Sequence, residues 1–135
     1  APLAKILTGA GIFPLAPDLV AKVERLEPTP DIAVTKEYGH YLANIAGCTT
    51  CHGAALTGAE HPAHPGLQTP NLASGNAATW SQEEFRQTLR TGRTPEGKDL
   101  SRELMPWAIY AGMTDDELEA VWLWLESLAS ASAVQ

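Results

Sequence analysis

The residue types most able to do chemistry in this chain stand together in the sequence Cys48-Thr-Thr-Cys51-His52. The chain has two cysteines in 135 residues, so this motif uses every thiol. A Cys-x-x-Cys pair followed directly by histidine is the spacing at which two thiols form thioether bonds to a haem and the histidine binds its iron. The motif therefore predicts one covalently bound haem c, attached through Cys48 and Cys51, with His52 as an axial ligand.

Three other uses of the two cysteines fit the sequence less well. A thioredoxin-like redox dithiol needs a βαβ context, and the sequence shows none. A zinc site needs a second set of ligands, but His40, His61 and His64 do not stand at zinc-finger spacing. A disulfide across two intervening residues would close a small, strained ring. Haem attachment is favoured over all three.

The elements that must position this motif are predicted to be helices. Apolar residues at i, i+3, i+4 and i+7 predict a helix over about 35–47, namely Tyr38, Tyr41, Leu42 and Ile45. Capping boxes at 81–84 and 114–117 begin two more helices, and Gly92 ends the first of these. Because residues 53–80 lack periodicity, we expect a long loop that a bound cofactor helps to organise. The fold class predicted is all-α, with short helices and long loops.

The chain divides into an N-terminal extension, 1–34, and a domain, 35–135. Prolines interrupt the extension, which we expect to be a docking arm or the stub of a membrane anchor. No stretch reaches the ~20 apolar residues of a membrane span, and no signal peptide is visible. The sequence is therefore compatible with an exported protein whose leader has been removed, or with the soluble part of an anchored one.

The formal net charge of −7 is concentrated near the C-terminus, where residues 101–135 hold six acids and one base. This acidic end would be repelled by phosphates, so nucleic acid is excluded as a partner. The charge suits redox protein partners with a basic docking surface, where it would mainly raise the encounter rate. A solvated acidic helix would have the same composition. Nothing indicates an obligate oligomer, so a monomer is expected.

Beyond the Cys-x-x-Cys-His motif, residues 35–129 resemble the class I, mitochondrial-like cytochromes c. The resemblance rests on a Tyr-Gly-x-Tyr-Leu helix, Pro70-Asn-Leu72, Met105-Pro-Trp107 and a closing helix that starts with Thr-Asp-Asp-Glu-Leu. The pattern Arg-Thr-Gly followed by Met-Pro-Trp is similar to that of a bacterial subgroup of these cytochromes. Some members of the subgroup are electron carriers, and others are haem subunits of membrane dehydrogenases and oxidases. The resemblance implies the small class I fold, a place in the periplasm or on the outer face of the cytoplasmic membrane, and electron transport in a respiratory chain, not enzymatic catalysis.

The resemblance also implies ligands and neighbours of the haem. Met105 is expected to be the sixth iron ligand, and Pro106 supports it over Met113 because a residue before proline favours an extended backbone. The carbonyl of Pro70 is expected to accept a hydrogen bond from His52, and Leu72 to pack on the haem face.

Two further expectations concern the loops. Arg93 and Trp107 are favoured as partners of the haem propionates, since a guanidinium suits carboxylates, although solvated charges and a core tryptophan are equally compatible with the sequence. His61 or His64 would be the sixth ligand in a bis-histidine alternative, but a solvated loop histidine is the commoner case. An open iron beside such a histidine would instead make a haem enzyme or gas sensor.

Overall fold

The computed structural model describes residues 28–74 and 76–132, and the regular structure in these ranges is helical, without β-strands. The α-helices are α1 (Lys36–Ile45), α2 (Cys48–His52), α3 (Gln82–Thr91), α4 (Trp107–Tyr110) and α5 (Asp115–Ser132), with a 3₁₀ helix at Asn76–Thr79. The all-α prediction is confirmed. Residues 1–27 of the predicted extension, including its prolines at 14 and 17, lie outside the described residues. Within the described ranges, no helix combines the length and apolar character that a membrane crossing requires.

The core forms where α1 and α5 cross. Thr35 begins α1 by accepting a hydrogen bond from the Tyr38 amide at 3.2 Å. At Gly39 the two backbones approach so closely that a Cβ would lie 2.8 Å from the Val121 amide nitrogen and closer still to the Ala120 carbonyl. The helices bury a shared apolar face that includes Tyr38, Leu42, Ala43, Leu118, Ala120, Val121, Trp124 and Leu125. Helices α1 and α5 therefore pack against each other through this face.

One residue of the predicted apolar face of α1 is exposed. Ile45 is 62% exposed, whereas Tyr38 and Leu42 are buried. Ile45 is the last residue of α1, and Gly47 follows in a left-handed conformation (φ 82°) that redirects the chain into α2. The prediction that Ile45 joins the core is wrong because this residue stands at the end of α1, beyond the close crossing at Gly39, where the chain leaves the helix.

Both capping boxes are present, which confirms the predicted helix starts. The Glu84 carboxylate accepts from the Ser81 amide at 2.7 Å, and Glu117 accepts from the Thr114 amide at 2.7 Å. Gly92 ends α3 in the left-handed region with φ 72°, as predicted. These caps fix where α3 and α5 begin, and α3 then packs against both α4 and α5.

The loop between α2 and α3 is long, as predicted, but it is tied to the domain by buried groups. Leu56 is 1% exposed, and its carbonyl accepts from the amides of Leu72 and Ala73 at 2.8 and 3.2 Å. The Thr69 hydroxyl bonds the carbonyl of Cys51 at 2.8 Å. These bonds hold residues 56–73 against α2, beside the Cys-x-x-Cys-His motif.

Candidate haem site

The short helix α2 carries the whole attachment motif. Gly47 and Gly53 flank it with positive φ values of 82° and 81°, which favour glycine, so these two residues set both ends of this short helix. Cys48 and Cys51 stand three residues apart, on the same side of a helix, and both are half-buried free thiols. Burial raises the pKa of the Cys48 thiol to about 11, so this group is neutral near pH 7 in the haem-free chain.

His52 is buried and its imidazole is oriented by a backbone carbonyl. Nδ1 lies 2.9 Å from the carbonyl oxygen of Pro70, which can only accept, so Nδ1 carries the proton and donates. Nε2 is then the nitrogen left with a free lone pair. Burial lowers the pKa of His52, and the bond to Pro70 opposes this shift. The ring is therefore a neutral imidazole with one fixed tautomer, which is the form that binds a metal ion.

A cavity of about 730 Å³ opens beside His52, within the size range of sites for drug-sized ligands. A smaller cavity of about 80 Å³ continues behind it, toward α1 and α5. The residues common to both cavities are Cys51, His52, Leu72, Phe85, Leu89, Met105 and Leu125. The shared wall is thus apolar except for one thiol, one imidazole and one thioether. A large apolar macrocycle with two side groups for thioether bonds fits this donor set and this volume.

Met105 and Met113 occupy different positions relative to these cavities. Met105 lines both, whereas Met113 lines only the smaller one. Met113 also lies directly before the cap of α5, and its carbonyl accepts from the Arg90 guanidinium at 2.6 Å. Met105 therefore shares the large cavity with His52, and Met113 does not. Leu72 likewise lines both cavities, where the resemblance implies it would contact the haem face.

The histidines of the long loop have distinct environments. His61 is 7% exposed, and its Nδ1 accepts from the Ala63 amide at 3.2 Å while Nε2 lies 3.2 Å from the Leu104 carbonyl. His64 is half-buried and lies against His61, with the ring centroids 4.8 Å apart and the ring planes tilted by 55°. The expectation of a solvated histidine is wrong for His61, because the loop folds back over it. With both ring nitrogens engaged, His61 has no lone pair free for iron in this arrangement.

Arg93 and Trp107 are not brought to the cavity wall. Arg93 is largely exposed and lies 3.8 Å from Asp99, and the Trp107 indole N–H donates to the Leu100 carbonyl at 3.1 Å. Lys98 lines the large cavity instead, on the same turn as Arg93. Contact of Arg93 and Trp107 with the propionates stays a prediction, and Lys98 is a cation near the cavity that the sequence did not single out for this role.

Two further side chains hold the loop around Met105, and their roles were not predicted. Arg90, at the end of α3, donates to the carbonyls of Ala111 and Met113 and pairs with Asp115 at 2.7 Å. Tyr110 donates its hydroxyl to the Ala46 carbonyl at 3.0 Å, beside the attachment motif, and burial raises its pKa to about 12. Most of these acceptors are backbone carbonyls, which leave no signal in a sequence.

Comparison with known proteins identifies the class of this fold and site. The family model described as Cytochrome c matches residues 37–129, which include α2, the apolar cavity wall and Met105. Comparisons with curated proteins and with solved structures gave no match. The chain belongs to the cytochrome c family. Members of this family carry covalently attached haem c and serve in electron transport, and Cys48, Cys51 and His52 fit their Cys-x-x-Cys-His motif.

Proposed function

We propose that this protein is a monohaem c-type cytochrome of the bacterial class I subgroup, which carries single electrons between periplasmic or membrane-bound redox partners. The observation that carries the proposal is the position of Met105, which lines the same cavity as His52 although His52 is on α2 and Met105 is in the loop before α4. With His52 and Met105 both holding the haem iron, no position would remain open for a substrate. Such a site exchanges electrons and does not transform a bound molecule.

The chain's own residues would tune this exchange in three ways. Pro70 fixes the tautomer of His52 and so the basicity of its Nε2. The soft thioether of Met105 favours the reduced state and raises the reduction potential. Leucine and phenylalanine side chains keep water away from the cavity wall, which also favours the less charged, reduced form. When bound, the haem supplies a reversible one-electron couple.

Electron exchange would require only brief contact with a partner. Redox encounters usually bury little surface, so charge contributes mainly to the rate of encounter. The exposed carboxylates of Glu103, Asp115 and Asp116 belong to the acidic segment 101–135. We propose a partner with a basic docking surface, a monomeric state, and a location in the periplasm or on the outer face of the cytoplasmic membrane.

A second candidate function is that of a haem domain or subunit in a larger dehydrogenase or oxidase complex. The family match begins at residue 37 and leaves the segment 1–34 unaccounted for, which favours a docking arm or an anchor stub there. Fractionation of cells that make the native protein separates the candidates. A free carrier is released with the periplasm, whereas a complex subunit stays with the membranes and comes off together with partner proteins.

The visible spectrum of the oxidised protein, made with haem-maturation machinery, tests the proposed ligand. We expect a low-spin ferric spectrum with the weak far-red band of a sulfur-to-iron charge transfer. Met105→Leu should abolish this band, and the matched variant Met113→Leu should retain it. A low-spin spectrum without the band would instead indicate a histidine ligand. A high-spin spectrum would indicate an open iron and favour a haem enzyme or gas sensor.

A further inference from the structure

His61 connects the two sides of the haem cavity through its ring. Its Nδ1 accepts from the Ala63 amide, so the proton of the neutral ring is on Nε2. That N–H donates to the carbonyl oxygen of Leu104 across 3.2 Å. Leu104 directly precedes Met105, so the bond joins the loop that orients His52 to the loop that carries Met105.

The peptide group between Leu104 and Met105 is thereby held at both ends. The Met105 amide donates to the Ser101 carbonyl at 2.8 Å, while the Leu104 carbonyl accepts from His61. Because a peptide group is planar, fixing its N–H and its C=O fixes the direction in which the Met105 Cα leaves it. Among the hydrogen bonds of the described residues, the His61 bond is the one that reaches this peptide from outside the segment 93–114.

His61 is itself fixed by the turn around it. Its amide donates to the Leu67 carbonyl at 2.8 Å, and the Glu60 carboxylate accepts from the Gly66 amide at 2.8 Å. The same segment continues to Thr69, whose hydroxyl bonds the Cys51 carbonyl, and to Pro70. A short run of chain therefore contacts both the attachment motif and the residue before Met105.

We propose that His61 is a positioning residue that holds the Met105 thioether toward the cavity by bonding the Leu104 carbonyl. This inference rests on the proposed role of Met105 as sixth ligand. Without this hydrogen bond, the loop that carries Met105 can move relative to the rest of the domain. The Met105 thioether then spends more time turned away from the cavity. A competing ligand should then displace the sulfur more readily.

The test compares His61→Asn with His61→Gln in the mature, haem-containing protein. Asparagine keeps an acceptor near the position of Nδ1 but is too short to reach Leu104. Glutamine places an N–H near the position of Nε2 and can keep the Leu104 bond. His64→Asn is the control for loss of ring packing alone, since the His64 ring contacts His61 but the structure gives the His64 side chain no hydrogen bond to any described residue. His61→Phe, which fills the site without a donor, serves if the asparagine variant does not fold.

The readouts are titration of the oxidised protein with imidazole and the intensity of the far-red band. We expect His61→Asn and His61→Phe to bind imidazole about threefold to tenfold more tightly, as the loss of one hydrogen bond implies. The far-red band should weaken in these variants. His61→Gln should behave much more like the parent protein, and His64→Asn should match the parent. A role in stability alone would change the denaturant midpoint but neither of these readouts.

Three outcomes would overturn the proposal, and Met105→Leu separates their causes. If Met105→Leu removes the band but His61→Asn and His61→Phe leave imidazole affinity unchanged, the positioning role fails while the ligand assignment stands. If Met105→Leu keeps the band, the ligand assignment itself fails. If either His61 variant becomes high-spin while Met105→Leu is spectrally unchanged, His61 binds the iron directly.

Discussion

Replacing Gly39 by alanine should destabilise this protein, although alanine is the better helix former. In an exposed helix the change would stabilise by about 1 kcal/mol. Here the new Cβ would lie 2.8 Å from the Val121 amide nitrogen and closer to the Ala120 carbonyl, whereas ordinary contact begins at 3.4 Å. Both obstacles are backbone atoms, so no side chain can rotate away. Helices α1 and α5 must therefore move apart by more than about 0.6 Å.

The cost of this separation can be worked from the packing. A radial gap of about 0.5–1 Å forfeits roughly a quarter to a half of each dispersion contact across the interface. Overpacking a core typically costs about 1–3 kcal/mol, and a clash with rigid backbone belongs at the upper end or beyond. After the gain in helix propensity, we expect a net loss of at least about 2 kcal/mol. With a urea m-value of about 2 kcal/mol/M, the unfolding midpoint should fall by about 1 M.

Urea unfolding of the oxidised, haem-containing protein measures this loss, and Gly112→Ala is the matched control. At Gly112 the nearest atom to an added Cβ is the Ile109 carbonyl oxygen at 3.5 Å, so alanine fits. We expect Gly112→Ala to be neutral or to stabilise by a few tenths of a kcal/mol. If Gly39→Ala were as stable as the parent protein, the close crossing of α1 and α5 would be refuted.

Three more substitutions probe the loop that carries Met105. Gly92→Ala should destabilise by about 2 kcal/mol or more in urea unfolding and weaken the far-red band, because Gly92 has φ 72° and its Cβ would meet the Trp107 ring. Arg90→Lys should cost about 1–3 kcal/mol by the same assay, since an ammonium group cannot reach the Ala111 and Met113 carbonyls and Asp115 together. The Arg90 hydrogen bond lowers the pKa of Asp115. The ion pair therefore stabilises the fold fully above the ordinary pKa of an aspartate, and this stabilisation is lost as pH falls below about 4. Asp115→Asn should therefore flatten the acid limb of a stability–pH curve, and an unchanged limb would contradict the ion pair.

The sequence predicts the parts of this fold that depend on residues close together in the chain. A capping box needs two residues three positions apart, so the starts of α3 and α5 are visible in the sequence. The left-handed end of α3 at Gly92 follows from a single glycine. The attachment motif is equally local, since its chemistry requires five consecutive residues.

The parts that the sequence does not predict depend on contacts between distant segments. His61 and Leu104 are 43 residues apart, and Tyr110 and Ala46 are 64 apart. In each pair the acceptor is a main-chain carbonyl, a group that every residue has. The burial of His61 accompanies such a contact, and the exposure of Ile45 reflects where α1 ends relative to its crossing with α5, so composition and periodicity assign both residues to the wrong environment.

On each side of this site, a histidine is hydrogen-bonded to a main-chain carbonyl. The Pro70 carbonyl fixes His52, and the Leu104 carbonyl is fixed by His61, nine residues before Pro70 in the same loop. Rapid electron exchange is favoured when the surroundings of the iron change little between its two oxidation states. A loop without regular structure would ordinarily serve this need poorly. Here its side-chain and main-chain bonds join the attachment helix to the segment that carries Met105, so rigidity comes from cross-links between loops and not from secondary structure.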